Sequence, residues 1–466
     1  MTAPTQPMRT TALDLAERAL GYVRAGDGAI ATVAAERSLL LRFARSRPTQ
    51  STSVEDATIS ITILCDGHVG TASTNRDDDD SLAACARAAE AAATTAARSR
   101  GSGRYPGFPE PAWARPHDGF DGATAQMDPA AGGDALATAF GVAAEHGVEA
   151  HGVWSTGDVE TAIASSTGIA VVDRVTDAFM KTTCIAPDGR SGWANGSSLR
   201  LSDIDPRAIA EAAAVRASGK FAERQEVVRL DPGEYPVVLA PAALAEMLDW
   251  LAFGAFNGLA HAEGRGAFVD KLGKCVVSPA VNISDTPRYP RTLPRAFDAE
   301  GVPKAPIPLI QDGIALNVVH DTRSAALVPG AKSTGHALAP GGSSWGPIPT
   351  NIVMIGGGAA DEAELCRPIQ RGIYVTRLWY TNAVRLNETL ITGVTRDGTF
   401  LIENGKIAAP LEDMRMTDSV LRMLLKTEDL TARSILWNEG EFYGRRFASG
   451  TVAPAIRTRL RFTGGA

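Results

Sequence analysis

The apolar residues of the first hundred positions follow helix-like and strand-like periods in turn. Residues 11–25 carry them at the spacing of an amphipathic helix, and residues 81–98 form a second, alanine-rich helical stretch. Asp66-Gly67 is a strong signal for a two-residue hairpin turn. Around it, β-branched or alternating residues predict strands at residues 29–34, 38–43, 57–65 and 68–73. The pattern predicts an antiparallel sheet with covering helices.

A second unit of the same kind follows a stretch without periodicity. Residues 100–132 are rich in glycine and proline, which predicts an excursion over the surface. One helix is predicted over residues 134–145, and another has Asp205 as its N-cap, Pro206 in its first turn and Gly219 at its end. Strands are predicted at residues 152–154, 159–164 and 169–184. We expect these elements to complete an N-terminal domain.

Strands and turns dominate the sequence after residues 221–230. A chain of 466 residues exceeds the size at which single hydrophobic cores stop growing, so we predict two domains, residues 1–225 and 226–466. The second domain opens with a strand at residues 235–239, followed by Pro241 and a helix with one apolar face. The prediction is an α+β fold whose C-terminal domain is predominantly β, with one prominent helix after its first strand.

Composition and charge argue against several classes of protein. The formal net charge is −7 and Lys and Arg are not clustered, which argues against a nucleic-acid partner. No apolar run approaches the length of a membrane span, and the first nine residues lack the apolar core of a secretory signal. The five scattered cysteines form neither a disulfide framework nor a metal-binding knuckle. We therefore expect a cytoplasmic protein with reduced thiols.

Four stretches of the second domain are the most specific part of the sequence. In order they are VVLAPAALAEMLDWLAFGAF (237–256), GRGAFVDKLGKCVVSPAVNISDTP (264–287), the FDAEG, LIQDG and STG segments between residues 297 and 335, and LIENGKI (401–407). Their order and spacing resemble the TldD/PmbA family of intracellular peptidase proteins. The first domain resembles that family more loosely, through ASSTG at residues 164–168.

The resemblance implies a zinc site that this chain has lost. In metal-bearing members, the helix after the first strand carries HExxxH, in which two histidines bind zinc and the glutamate serves as general base. The matching positions here are Asp249, Trp250 and Gly254, of which only Asp249 has a side chain able to bind a metal. Those members also use a cysteine near the C-terminus, yet no cysteine follows Cys366. The resemblance is therefore to the TldE/PmbA-like branch without the zinc motif.

On this branch the resemblance implies a subunit with no cofactor and no catalytic residue of its own. The zinc is expected in a TldD-type partner, and the working peptidase would be a heterodimer that cleaves short or unfolded peptides. This chain would shape the substrate chamber and support the partner. Four residues are predicted to lie in a substrate cleft, namely Ser333, Thr334, Gly335 and His336.

Two other classes of function stay open at this point. One is a self-sufficient metallopeptidase that uses Asp249 with His261 or His336 as ligands. The other is a module that binds peptides without cleaving them. A serine hydrolase is disfavoured, because the GxSxG match at residues 342–346 lies between prolines and no histidine follows His336.

Overall fold

The computed structural model describes residues 11–99, 104–438 and 445–465. The first of its two sheets contains six strands, β1 (Gly28–Ala44), β2 (Arg47–Cys65), β3 (His68–Thr74), β4 (Glu149–Ser165), β5 (Ala170–Ile185) and β6 (Ser191–Ser198). Their order across the sheet is β3-β2-β1-β4-β5-β6, and every neighbouring pair is antiparallel. The predicted antiparallel sheet is therefore confirmed.

Helices cover the first sheet, as the sequence predicted. They are α1 (Ala12–Gly21), α2 (Asp79–Arg98), α3 (Pro129–Glu145) and α4 (Pro206–Ala217). Each begins at a residue whose side chain accepts a backbone N–H of the first turn, namely Thr11, Asp78, Asp128 and Asp205. Helices α1 and α2 share one apolar core with the sheet, and α3 and α4 share another. No helix in the described parts of the chain combines the length and apolarity needed to cross a membrane.

Three strands are longer than the apolar pattern predicted: β2 begins ten residues before residue 57, and β1 and β4 each join two predicted strands. Residues 29–34 and 38–43 belong to one continuous β1, and residues 152–154 and 159–164 belong to one continuous β4. The intervening polar side chains are stabilised by partners distant in sequence. Asp158, which is 3% exposed, is paired with Arg37 and Arg174. The sequence pattern shows only that such residues are polar. It therefore predicted two short strands in place of each continuous one.

Of the excursion predicted over residues 100–132, residues 100–103 lie outside the described part of the chain, and α3 already begins at Pro129. The segment from residue 104 to 123 contains neither helix nor strand, and a 3-10 turn follows at Thr124–Gln126. The segment nevertheless contributes to a core. Tyr105 and Phe108 are 3% and 8% exposed and pack in the same apolar cluster as Phe297. The segment therefore packs between the first sheet and the second half of the chain. The prediction of a surface excursion did not include this buried contact.

The second sheet is mixed. Its strands are β7 (Gly233–Leu239), β8 (Ile283–Asp285), β9 (Ile307–Gln311), β10 (Ile314–Ala315), β11 (Ile352–Met354), β12 (Arg371–Arg385), β13 (Leu390–Glu403), β14 (Lys406–Pro410), β15 (Met414–Ser419), β16 (Asp429–Trp437) and β17 (Thr451–Gly465). Strand β17 pairs with both β15 and β7, and β13 and β12 lie between those two. These five strands therefore close into a ring.

Helix α5 (Pro241–Gly254) is the prominent helix predicted after the first strand of this domain. The remaining helices are short: α6 (Gly258–Ala262), α7 (Thr322–Ala325), α8 (Glu362–Cys366) and α9 (Val420–Leu425), with 3-10 turns at Leu201–Asp203 and Leu386–Glu388. Leu244, Met247, Leu248 and Leu251 of α5 are fully buried against the ring of strands. Burying each such side chain contributes about 1.5–3 kcal/mol, so α5 is held firmly in place.

A buried ion pair joins the two sheets. The Nε and Nη2 atoms of Arg446 each donate to a carboxylate oxygen of Asp177 on β5 over 2.7 Å. Its Nη1 donates to the hydroxyl of Ser155 on β4 over 2.9 Å. Because Arg446 lies shortly before β17 in the chain, this contact holds the segment that leads into β17 against β4 and β5 of the first sheet.

Candidate functional site

A cavity of about 440 Å³ lies beside α5, at the junction of the two sheets. Helix α5 contributes Glu246, Asp249, Trp250 and Phe253 to its wall. The other lining residues come from β5, β6, β12 and the end of β16: Lys181, Trp193, Arg377, Leu378, Trp379, Tyr380, Thr381, Trp437 and Asn438. We call this cavity the aromatic cleft, because six of these side chains are tryptophan, tyrosine or phenylalanine.

Hydrogen bonds hold the polar side chains of α5 in this cleft. The indole N–H of Trp250 donates to the hydroxyl of Thr381 over 2.9 Å, and that hydroxyl donates to Glu246 over 2.8 Å. The Asp249 carboxylate accepts a hydrogen bond from the hydroxyl of Thr451 on β17. Trp250 and Phe253 also form an aromatic pair with ring centroids 6.0 Å apart. The helix therefore presents a fixed surface to the cleft.

A second cavity, of about 430 Å³, is lined by residues of β1, β4 and β5 and by the loops around residues 295–304 and 335–338. Of the four predicted cleft residues, Gly335 and His336 line it. Gly335 has φ +77°, and a Cβ there would lie 2.7 Å from the carbonyl oxygen of Pro303, so only glycine fits. The main chain is thus closely packed at this point.

His336 belongs to a buried polar cluster that sequence reasoning missed. Its Nε2 is hydrogen-bonded to Asp285, and the ammonium of Lys304 lies 2.9 Å from the same carboxylate oxygen. The three side chains are at most 1% exposed. Burial lowers the pKa of His336, so the neutral ring donates from Nε2 to Asp285. Burial opposes the ionisation of Asp285, but Lys304 and His336 outweigh it and hold its pKa below the usual range.

The hydroxyl of Thr334 is already fully used. It accepts the backbone N–H of His320 over 2.7 Å and lies 2.9 Å from Nδ1 of His336 and 3.1 Å from the carbonyl of His320. The Ser333 hydroxyl lies 3.4 Å from that carbonyl. Although Thr334, His336 and Asp285 follow one another as in a hydrolase triad, these contacts make the group a structural network.

Two buried carboxyl groups lie close to this cluster. Glu300 accepts hydrogen bonds from the hydroxyl of Tyr105 over 3.0 Å and from the backbone and hydroxyl of Thr322. Asp298 accepts three backbone N–H groups, those of Glu300, Val302 and Ala337. Burial, together with the charge of Asp298, raises the pKa of Glu300 to about 8, and burial raises that of Asp298 to about 6.

Comparison with known protein families assigns the chain. Residues 232–464 match the PmbA/TldA metallopeptidase C-terminal domain, residues 33–93 match domain 1, and residues 128–221 match the central domain. The chain belongs to the PmbA/TldD family. The family predicted from the four sequence stretches is thereby confirmed, and the matches extend to the first sheet and its helices.

Solved structures share the fold of this chain. The fold is similar to that of TldE from Thermococcus kodakarensis, with a TM-score of 0.82, 19% identity and coverage of 97% of this chain and 99% of that one. It is also similar to a putative modulator of a DNA gyrase from Thermotoga maritima, with a TM-score of 0.79, 21% identity and coverage of 94% and 96%.

Among curated sequences, a metalloprotease of Synechocystis is 27% identical over 238 residues, which is 50% of each chain. A metalloprotease TldD homolog of Haemophilus influenzae is 26% identical over 227 residues, 47% of this chain and 46% of its own. The chain thus spans about half the length of these two relatives.

The α5 positions of this PmbA/TldD protein do not fit a zinc ion. Asp249 is engaged by Thr451, and the indole of Trp250 has no metal-binding atom. At Gly254 the space is closed as well, because a Cβ there would lie 2.6 Å from the carbonyl oxygen of Leu386. Among residues 11–99, 104–438 and 445–465, no group of three or more His, Cys, Asp or Glu side chains is placed to hold a metal ion.

Restoring the motif is therefore expected to fail. We predict that the triple variant Asp249→His, Trp250→Glu, Gly254→His retains less than about a tenth of an equivalent of zinc after dialysis, measured by elemental analysis. One reason is steric, since the main chain at Leu386 occupies the space that a side chain at position 254 needs. The other is that no cysteine follows Cys366 to supply a further ligand. The matched control is the double variant that keeps Gly254. One equivalent in the triple variant, absent from the double variant, would contradict the steric argument.

Proposed function

We propose that this chain is the non-metal subunit of a two-component zinc metallopeptidase in the cytoplasm. In this proposal a TldD-type partner carries the zinc, and this chain shapes the chamber that receives short or unfolded peptides. It has no nucleic-acid or membrane partner. The observation that carries the proposal is α5, which lies beside a cleft while the position of its last motif residue, Gly254, is closed by the carbonyl of Leu386.

The rest of the cleft supports a role with peptides. A cavity of about 440 Å³ between the sheets is within the range of small-ligand sites and is large enough for a few residues of an extended chain. Its aromatic walls offer apolar surface, while Glu246 and Arg377 supply charges of both signs. Such a surface suits a peptide, which carries apolar side chains and polar main-chain groups together.

A self-sufficient metallopeptidase would require Asp249 to meet His261 or His336 at one site. Asp249 lines the aromatic cleft, whereas His336 is bonded to Asp285 beside the second cavity. His261 lies on α6 and does not line the aromatic cleft. These placements favour the non-metal subunit over the self-sufficient enzyme.

Zinc content tests the proposal. The purified chain is expected to contain less than about a tenth of an equivalent of zinc, and the complex with a co-expressed HExxxH-bearing relative is expected to contain close to one. Turnover of an unstructured peptide should appear only in the complex. The control is the same complex with the partner's motif glutamate replaced by glutamine, which should keep zinc and lose turnover. A full equivalent of zinc in the isolated chain would refute the proposal.

A further inference from the structure

The aromatic cleft contains two buried N–H donors that lack an acceptor. They are the indole Nε1 of Trp193 on β6 and the guanidinium Nε of Arg377 on β12, neither of which has a hydrogen-bond partner. Trp193 is 6% exposed, and the side chain of Arg377 is 14% exposed. Buried donors are nearly always paired, so these two N–H groups are available to an acceptor that enters the cavity.

The two donors belong to one stacked group. The guanidinium of Arg377 lies 5.1 Å from the centre of the Trp193 ring and 4.9 Å from that of Trp379. Its Nη2 is 2.8 Å from the carboxylate of Asp397. The aromatic rings and the ion pair therefore fix the plane of the guanidinium, and its Nε–H is held in place without rearrangement on binding.

The surroundings favour an acidic acceptor with an apolar group attached. Trp250 and Phe253 form one aromatic wall, and Trp379, which is 43% exposed, forms another. The carboxylates of Glu246 and Asp249 already accept the hydroxyls of Thr381 and Thr451. A ligand with a carboxylate and an aromatic ring could accept hydrogen bonds from the two donors and pack its ring against the aromatic walls.

We propose that the aromatic cleft binds the C-terminal carboxylate of a peptide whose last residue is aromatic. The carboxylate accepts from Arg377 and Trp193, and the terminal ring packs between α5 and Trp379. The proposal deepens the proposed function, because it names which end of a peptide this subunit holds. It concerns binding alone, so it is tested on the isolated chain without zinc or partner.

The test is calorimetric titration with three probes at neutral pH. N-acetyl-phenylalanine is expected to bind at least about tenfold more tightly than N-acetyl-phenylalaninamide, since a hydrogen bond to a charged group is worth more than one to an amide. The tripeptide Ala-Ala-Phe should bind more tightly than N-acetyl-phenylalanine. Equal affinity for the acid and the amide would overturn the proposal. Weaker binding of the tripeptide than of N-acetyl-phenylalanine would overturn the proposal that the ligand is a peptide, and would indicate a free aromatic acid instead.

Two variants locate the site. Trp193→Phe removes the N–H and keeps a ring, so it should weaken N-acetyl-phenylalanine binding at least about tenfold, as expected for the loss of one hydrogen bond to a charged group. Trp379→Ala removes one aromatic wall of the cleft. It should weaken the binding of N-acetyl-phenylalanine and leave the weak binding of acetate, which has no ring, unchanged. The matched control is Trp113→Phe, at a residue that is 79% exposed. Unchanged affinity in both cleft variants would refute the site, whatever the zinc measurement shows.

Discussion

Replacing Asp285 by asparagine is expected to destabilise the protein by about 3–5 kcal/mol, the range found when one partner of a buried ion pair is removed. The ammonium of Lys304 is 1% exposed and would lose its counter-charge. Nε2 of His336 would also face an amide in place of a carboxylate. The measurement is urea-induced unfolding at pH 7 of the variant and the parent chain.

Two further variants show whether the unpaired charge of Lys304 causes the loss of stability. Glu223→Gln breaks the exposed pair with Lys406, whose side chains are 57% and 72% exposed, and should cost less than about 1 kcal/mol. Adding Lys304→Met to Asp285→Asn removes the buried charge and should recover part of the lost stability. If the double variant is less stable than Asp285→Asn alone, packing around Lys304 and not its charge dominates the cluster.

Replacing Glu300 by glutamine is expected to change how stability depends on pH. The usual pKa of this carboxyl is 4.5, and its pKa in the folded protein is raised to about 8. Between these values the unfolded chain ionises and the folded chain does not, so stability falls as pH rises. Below 4.5 the contribution of Glu300 is fully present. Glutamine cannot ionise, so the variant should gain on the order of 3 kcal/mol relative to the parent between pH 5.5 and 8.5.

The measurement compares the free energy of unfolding of both chains at those two pH values. The comparison removes two confounding effects. The cost of fitting an amide beside Tyr105 and Thr322 is the same at both pH values, and the buried histidines titrate equally in both chains. Glu223→Gln serves as the control at an exposed carboxylate. If the difference in the free energy of unfolding between Glu300→Gln and the parent is the same at both pH values, Glu300 is not the group that stays protonated in the folded chain.

Local sequence signals predicted the elements whose causes are local. The Asp66-Gly67 turn has φ values of 46° and 76°, as a two-residue hairpin requires, and Asp205 caps α4 as predicted. The apolar face of α5 was visible as a helical period. The continuity of β1 and β4 was not predictable in this way, because their backbone pairing runs through polar residues such as Asp158, whose partner Arg174 lies on another strand.

The candidate site was predicted only where a family motif marked it. Asp249, Trp250 and Gly254 were placed correctly on α5, but the obstruction by Leu386 comes from a turn more than a hundred residues later. Nothing in the sequence near Lys304 indicates that its ammonium is buried. Trp193 and Arg377 become one stacked group only when the two sheets meet, so no spacing in the chain indicates them.

The closed ring of five strands has a consequence for folding during synthesis. Strand β7 begins the second domain, yet it pairs with β17, in which Ile456 lies opposite Leu239. Until residues 451–465 leave the ribosome, β7 and β15 each have an open edge, and such edges are prone to pair with other chains. Contacts this distant in sequence also form slowly. The nascent second domain therefore has its greatest need of a chaperone shortly before Thr451 emerges.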